Sequence, residues 1–339
     1  YGPGEQPQAE RMIKLNTNEN PYPPAPGVQR ALAGFNPDTL RLYPEPTCKV
    51  LVDAIASYYG LGSDQVFVGV GSDDVLAMIF LTFFNSGKPV FFPDITYSFY
   101  DVWADMLRIP YETKALDDAF EIRVEDYYGE NGGVIFPNPN APTGILMPLD
   151  KIEDIIAHNR DVIVVVDEAY IDFGGVSALP LIEKYDNLLV VQTFSKSRSL
   201  AGMRIGYAFG NPELIKYLND VKYSFNSYTM DRTTIAAGVA SMKDQAYFEE
   251  CCNKIITTRE WTKTELKKLG FSFQDSKANF IFATHESCPA KKLFGALREK
   301  HIYVRYFPKD RIDNHLRITI GTDKEMKKLV EFLKEYLQK

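Results

Sequence analysis

Two short apolar runs, 162–166 and 188–191, constrain the fold of this chain more than any other feature. Neither alternates apolar with polar residues, as a strand with one wet face would. Each therefore reads as a strand buried on both faces. The first runs into Asp167-Glu168-Ala169-Tyr170, and the second into Thr193-Phe194-Ser195-Lys196, with Arg204 following. Strands of this kind belong to parallel sheets covered by helices, and such sheets bind ligands beyond the carboxyl ends of their strands. An acid and a phenol at one strand end, and a hydroxyl, an amine and a guanidinium at the next, are candidates for one site.

The alternation extends over 48–210. Helical patterns at 48–59, 74–84, 98–107 and 149–158 separate strand-like runs at 66–70, 89–92, 133–136, 162–166, 188–192 and 204–209. Beyond 244 the style changes. A long helix from Gln245 stops at Gly270, followed by strand-like 279–283, a helix at 290–300, and strand-like 302–306 and 316–320. A capping box, Thr322 with Glu325, opens a last helix. The expectation is an α/β chain with two domains, which 339 residues can build. A large domain, 41–244, has a mostly parallel sheet with helices on both faces. A smaller α+β domain combines the arm 1–40 with 245–339.

Composition narrows the class. The net charge of -7 speaks against a nucleic-acid partner. The apolar stretch 75–84 is broken by Thr82 and is too short to span a bilayer. Cys48, Cys251, Cys252 and Cys288 form no Cys-x-x-Cys pair and read as free thiols, and His158, His285, His301 and His315 have no ligand spacing. The expected compartment is the cytoplasm, and no metal is expected.

Lys196 carries the chemistry. A desolvated lysine condenses with an aldehyde, and Ser195 and Arg204 beside it suit a phosphate. Pyridoxal 5′-phosphate has both groups, and its ring nitrogen calls for an acid such as Asp167. Glu168 should face the other way, because neighbours on a strand point to opposite sides. A second phosphate-binding element is the strand 66–70, followed by Gly71-Ser72-Asp73-Asp74 and a helix start, where backbone N–H groups meet an anion. The acids there are expected to turn away and cap the helix. A rival reading, a nicotinamide dehydrogenase, rests on Gly69-Val70-Gly71. It is weak, because Asp74 stands where the third glycine of that fingerprint belongs.

Several segments resemble the pyridoxal-phosphate aminotransferases of the aspartate-aminotransferase fold, and among them the histidinol-phosphate aminotransferases. They are Tyr1-Gly-Pro-Gly-Glu-Gln-Pro, Leu15-Asn-Thr-Asn-Glu-Asn-Pro, Arg41-Leu-Tyr-Pro-Glu, Asn138-Pro-Asn-Ala-Pro-Thr-Gly, Asp167-Glu-Ala-Tyr and His315-Leu-Arg-Ile-Thr-Ile-Gly. The resemblance implies a fold-type-I transferase moving an amino group from histidinol phosphate to 2-oxoglutarate by ping-pong kinetics. Aromatic amino acids, or decarboxylation of phosphothreonine, are alternatives within the fold. It also implies residue roles. Tyr170 bonds the cofactor's ring oxygen and Tyr97 stacks on its ring. Tyr43 reaches across a homodimer to the phosphate. Arg305 and Arg317 grip the substrate anion, with Tyr1 and Asn18 on the substrate side. The family places asparagine where this chain has Ala141, and Asn140 is expected to take over its bond to the ring oxygen.

Overall fold

The computed structural model describes residues 1–338. An N-terminal arm carries β1 (Ile13–Lys14) and α1 (Pro26–Ala33). The large unit begins with α2 (Lys49–Tyr59) and is built on seven strands. These are β2 (Val66–Gly69), β3 (Val90–Pro93), β4 (Tyr111–Lys114), β5 (Gly133–Pro137), β6 (Val164–Asp167), β7 (Leu188–Thr193) and β8 (Gly206–Gly210), in the spatial order β2-β8-β7-β6-β5-β3-β4. Between and after them lie α3 (Ser72–Phe83), α4 (Tyr100–Met106), α5 (Leu149–Ala157), α6 (Pro212–Phe225) and α7 (Arg232–Met242).

The continuous apolar runs are buried because helices cover both faces. Val164 and Val166 face a core completed by Ile152, Ile155 and Ile156 of α5, whereas Val165 faces one completed by Val75, Ile79 and Phe80 of α3. β3 to β7 are parallel. β8 is antiparallel to both β7 and β2. β4 lies outside the strand runs expected from sequence. It is an edge strand, Tyr-Glu-Thr-Lys, three of whose four residues are exposed, so it lacks a buried-strand pattern.

The small unit comprises α8 (Gln245–Lys268), β9 (Phe271–Phe273), β10 (Phe280–His285), α9 (Ala290–Glu299), β11 (Ile302–Tyr303), β12 (Arg305–Tyr306), β13 (His315–Thr319) and α10 (Asp323–Leu337). Thr322 and Glu325 form the capping box at the start of α10. The run 302–306 is two strands, not one. β11 pairs with β1 of the arm, then the chain changes partner at buried Val304 and β12 pairs with β13. α1 packs on α7, and Val28 joins a core of the large unit. The arm therefore touches both units.

Candidate active site

The carboxyl ends of β6 and β7 open on a cavity of about 290 Å³. Asp167 closes β6. Its Oδ2 accepts the Tyr100 phenol at 2.8 Å and its Oδ1 the Ala169 N–H at 3.3 Å. No cation among the described residues balances it, and burial pushes its pKa up to about 6. Glu168 points the opposite way. It accepts from the Ser177 hydroxyl, the Ala178 N–H and the Gln192 amide, away from the cavity.

Lys196 lies past the end of β7, half-buried on the cavity wall, with its ammonium donating to the Thr17 carbonyl at 3.1 Å. Tyr170 stands beside it, ring centroid 5.7 Å from the Lys196 Nζ. The Tyr170 oxygen accepts from the Asn18 amide at 3.0 Å, so its own proton remains available. Asn18 in turn accepts from Thr319 of β13. One asparagine of the arm thus ties the end of β6 to the small unit.

The anion cradle forms where β2 meets β8. Gly71 has φ +99, which L side chains rarely adopt, and a Cβ there would collide with the Arg204 guanidinium. A Cβ on Gly206 would overlap backbone atoms of Gly71 and Ser72. These two glycines let Arg204 and the first turn of α3 approach each other. Arg204 adopts a left-handed conformation, φ 58, and its NH1 donates to the Ala201 carbonyl at 3.0 Å and to Ser195 Oγ at 3.4 Å. Neither acid caps α3. Asp74 accepts the N–H of Val70, and Asp73 accepts the phenol of Tyr97 at 2.8 Å. Ser72, Asp73, Tyr97, Ser195 and Arg204 all line the cavity.

Arg305 and Arg317 line it from the other unit, directly opposite each other in the β12–β13 register. Arg317 is half-buried, desolvation of its guanidinium lowers its pKa, and its buried Nε has no hydrogen-bond partner among the described residues. Neither arginine pairs with an acid among the described residues. Arg317 donates to the Asn16 carbonyl, and Arg305 to those of Gly2 and Pro3. Two facing guanidinium groups without a carboxylate call for an anion from outside the chain. Tyr1 stacks on Phe99 at 3.9 Å and borders the same space.

Two expected residues stand elsewhere. Asn140 is turned away: its carbonyl oxygen accepts from Thr96 and its NH₂ donates to the Ile95 carbonyl, while Ala141 faces the cavity. The expected transfer of the ring-oxygen bond to Asn140 is therefore corrected, because that side chain is committed to the 95–96 turn. Tyr43 is 76% exposed, outside the cavity, and stacked on Tyr228. The structure adds Tyr100 and Thr17, which the sequence reading missed. The one hint of Tyr100 is its spacing, a helical turn beyond Tyr97.

The profile of the family described as aminotransferase class I and II matches residues 10–333. The chain belongs to the class I and II aminotransferases. It is 55% identical over 338 residues to a histidinol-phosphate aminotransferase of Lactococcus lactis subsp. cremoris (strain MG1363), covering 100% of this chain and 95% of that protein. It is 52% identical to one of Clostridium botulinum (strain Langeland / NCTC 10281 / Type F), covering 100% and 96%. Its fold matches the histidinol-phosphate aminotransferase from Sinorhizobium meliloti in complex with pyridoxal-5′-phosphate. There the TM-score is 0.88 and the identity 25%, with 96% of this chain and 91% of that one covered.

The residues of this aminotransferase fit such a cofactor on their own terms. Asp167 is a buried carboxylate lacking a cation, which a protonated ring nitrogen would supply. The Gly71 and Gly206 cradle leaves room beside Arg204 for a phosphate. Lys196 and the Tyr170 phenol stand between these two features on the cavity wall.

Proposed function

We propose that this chain transfers the amino group of histidinol phosphate to 2-oxoglutarate with pyridoxal 5′-phosphate, a step of histidine biosynthesis. One observation carries the reading. A single cavity holds Lys196, Asp167 and the Arg204 cradle on the large unit, and the facing pair Arg305 and Arg317 on the small one. The named relatives support the choice of substrate.

When bound, the cofactor supplies an aldehyde and an electron-withdrawing ring. Asp167 keeps a proton on the ring nitrogen, and its buried setting strengthens that charge pair. The backbone N–H groups of Ser72 and Asp73, with Ser195 and Arg204, would hold the phosphate. Tyr170 would offer its free proton to the ring oxygen, and Tyr97 would lie beside the ring. Lys196 would hold the aldehyde end and would move the proton at the substrate carbon, its protonated form steadied by the Thr17 carbonyl. Arg305 and Arg317 bind a phosphate in one half-reaction and a carboxylate in the other, which lets one site take both partners in turn.

The enzyme would act as a homodimer. Tyr43 and Tyr228 are joined on the surface by exposed Leu40, Leu42 and Phe225, an apolar set that a second copy would cover. Tyr43 would then reach the partner's phosphate. The proposed compartment is the cytoplasm.

The test is a visible spectrum of the purified protein. Histidinol phosphate alone should bleach the yellow band, and 2-oxoglutarate should restore it. A yellow protein that ignores histidinol phosphate but releases carbon dioxide from phosphothreonine would overturn the assignment.

A further inference from the structure

Asn20 of the arm does not line the cavity, yet it touches the segment that carries Lys196. Its amide NH₂ donates to the Lys196 carbonyl at 3.1 Å and to the Ser197 carbonyl at 3.2 Å. Its Oδ1 accepts the Tyr22 N–H at 3.0 Å. The three bonds fix the orientation of the amide. Reversed, it would set an oxygen against two carbonyls and an NH₂ against an N–H.

The lysine segment is fastened at its ends. The Phe194 N–H donates to the Ile205 carbonyl and the Leu200 N–H to the Phe194 carbonyl, both at 3.0 Å. Its apex, 196–197, has fewer ties. The Ser197 hydroxyl donates to Asp172 at 2.6 Å, which holds a side chain and not the backbone. The Lys196 carbonyl accepts a long bond, 3.3 Å, from the Ser199 N–H. Among the described residues, Asn20 is the one donor to the Ser197 carbonyl. The other end of the lysine meets the same stretch of the arm, because its Nζ donates to the Thr17 carbonyl at 3.1 Å. That stretch is rooted in the small unit. The Asn18 carbonyl accepts from the Asn279 amide at 2.9 Å, and the Leu15 carbonyl from the Thr319 N–H at 3.0 Å. Residues 17–20 therefore grip Lys196 at both its backbone and its amine.

We propose that Asn20 is a positioning residue for the proton movement made by Lys196, an inference that rests on the amino-transfer reading above. The amine has to serve two places in turn, the aldehyde end of the cofactor and the proton at the substrate carbon. The flexible four-carbon stem supplies that movement, and a fixed backbone confines it to those two places. A misplacement of about 1 Å in such a site costs on the order of a hundredfold in rate. An asparagine can also serve only to form a turn. Asn20 does so through Tyr22, but that turn uses Oδ1 alone. The two bonds from its NH₂ go to the lysine segment.

Two variants separate these roles. Asn20→Asp keeps an acceptor for the Tyr22 N–H and loses both donated bonds, whereas Asn20→Ala loses all three. In both, cofactor content and KM for histidinol phosphate should match the parent, while kcat and the single-turnover rate fall roughly tenfold to a hundredfold. Hydrogen exchange of the peptide covering 193–200 should be faster in the cofactor-loaded variants, a readout independent of turnover. Asn20→Asp carries the test alone if Asn20→Ala fails to fold. Impairment of Asn20→Ala without Asn20→Asp would assign the residue to the turn and overturn the proposal. So would unchanged exchange, or a loss that appears in KM instead of kcat. A parent inert toward histidinol phosphate would sink the amino-transfer reading itself. An active parent with variants that behave like it would sink the role of Asn20 alone.

Discussion

The Tyr100 phenol donates a 2.8 Å hydrogen bond to Oδ2 of Asp167, and both side chains are buried. Tyr100 is the main group opposing the effect of burial on that acid. It also fixes the carboxylate plane, leaving Oδ1 with only a long bond from Ala169. Removing the phenol should raise the Asp167 pKa further, by about 1–2 units for a bond to a charged group. In Tyr100→Phe the ring nitrogen would lose its proton-holding partner at higher pH than in the parent. The expected result is weaker cofactor retention, and a spectral pH titration and kcat profile whose acid limb moves upward. A profile that keeps its shape, with retention unchanged, would assign Tyr100 to packing alone.

Glu168 makes stability depend on pH. Burial pushes it up to about 7, whereas an unfolded glutamate titrates near ~4.3. Between these values the folded chain holds a proton that the unfolded chain has released. Stability should therefore fall as pH rises through this window and remain lower above it, by on the order of 3 kcal/mol. Glu168→Gln removes the titration and keeps one acceptor oxygen, for the Ala178 N–H, while the Ser177 hydroxyl can rotate to accept from its NH₂. Urea midpoints measured from about pH 4.5 to pH 8 should slope downward for the parent and flatten for the variant. Equal slopes would contradict the argument.

Lys196 and Asp167 are legible in the sequence because buried parallel strands have continuous apolar runs, and the residues ending those runs must emerge at one edge of the sheet. Arg305 and Arg317 are legible for a similar reason, as neighbours on adjacent strand patterns. Tyr100 is not, since its partner lies 67 residues away and no local period encodes that contact. The direction of Asn140 is equally hidden. It depends on Thr96 and Ile95, residues of a different loop. β4 escapes because an exposed edge strand has no hydrophobic alternation. The break at Val304 escapes because either partner sheet would accept the same apolar residues.

Lys196→Ala should still retain the cofactor through the Arg204 cradle and Asp167, since neither depends on the lysine. Turnover should fall at least about a thousandfold, as for other residues that act as a unit with their neighbours. The check is a paired measurement: cofactor content after gel filtration, and single-turnover rate with histidinol phosphate. Normal content with no turnover is the expected combination. Retained turnover would remove Lys196 from the mechanism.

Arg317→Ala deletes a half-buried guanidinium that pairs with no acid among the described residues. Its loss should cost substrate binding about 2–5 kcal/mol, as for one side of a desolvated charge pair. KM should rise for both histidinol phosphate and 2-oxoglutarate if, as proposed, the same arginine serves both anions. Cofactor affinity, set on the opposite wall, should change little. Arg317→Lys should restore only part of the loss, because an ammonium cannot make the paired bonds of a guanidinium. Steady-state kinetics with each substrate varied separately checks all three outcomes.

Gly206→Ala joins the fold to the site. The added methyl would overlap the Gly71 carbonyl carbon and the Ser72 amide nitrogen, so β8 and the start of α3 must move apart. Backbone on both sides leaves no flexible side chain to yield. The overpacking should cost about 1–3 kcal/mol of stability. The same displacement widens the gap between Arg204 and the first turn of α3, so phosphate affinity should fall as well. The two losses should appear together in thermal melts and cofactor titrations of the purified variant. Gly202→Ala, where a Cβ meets nothing within 4 Å, is the control and should leave both unchanged. If Gly206→Ala melts early yet binds cofactor like the parent, the cradle does not depend on the close approach of β8 and the start of α3.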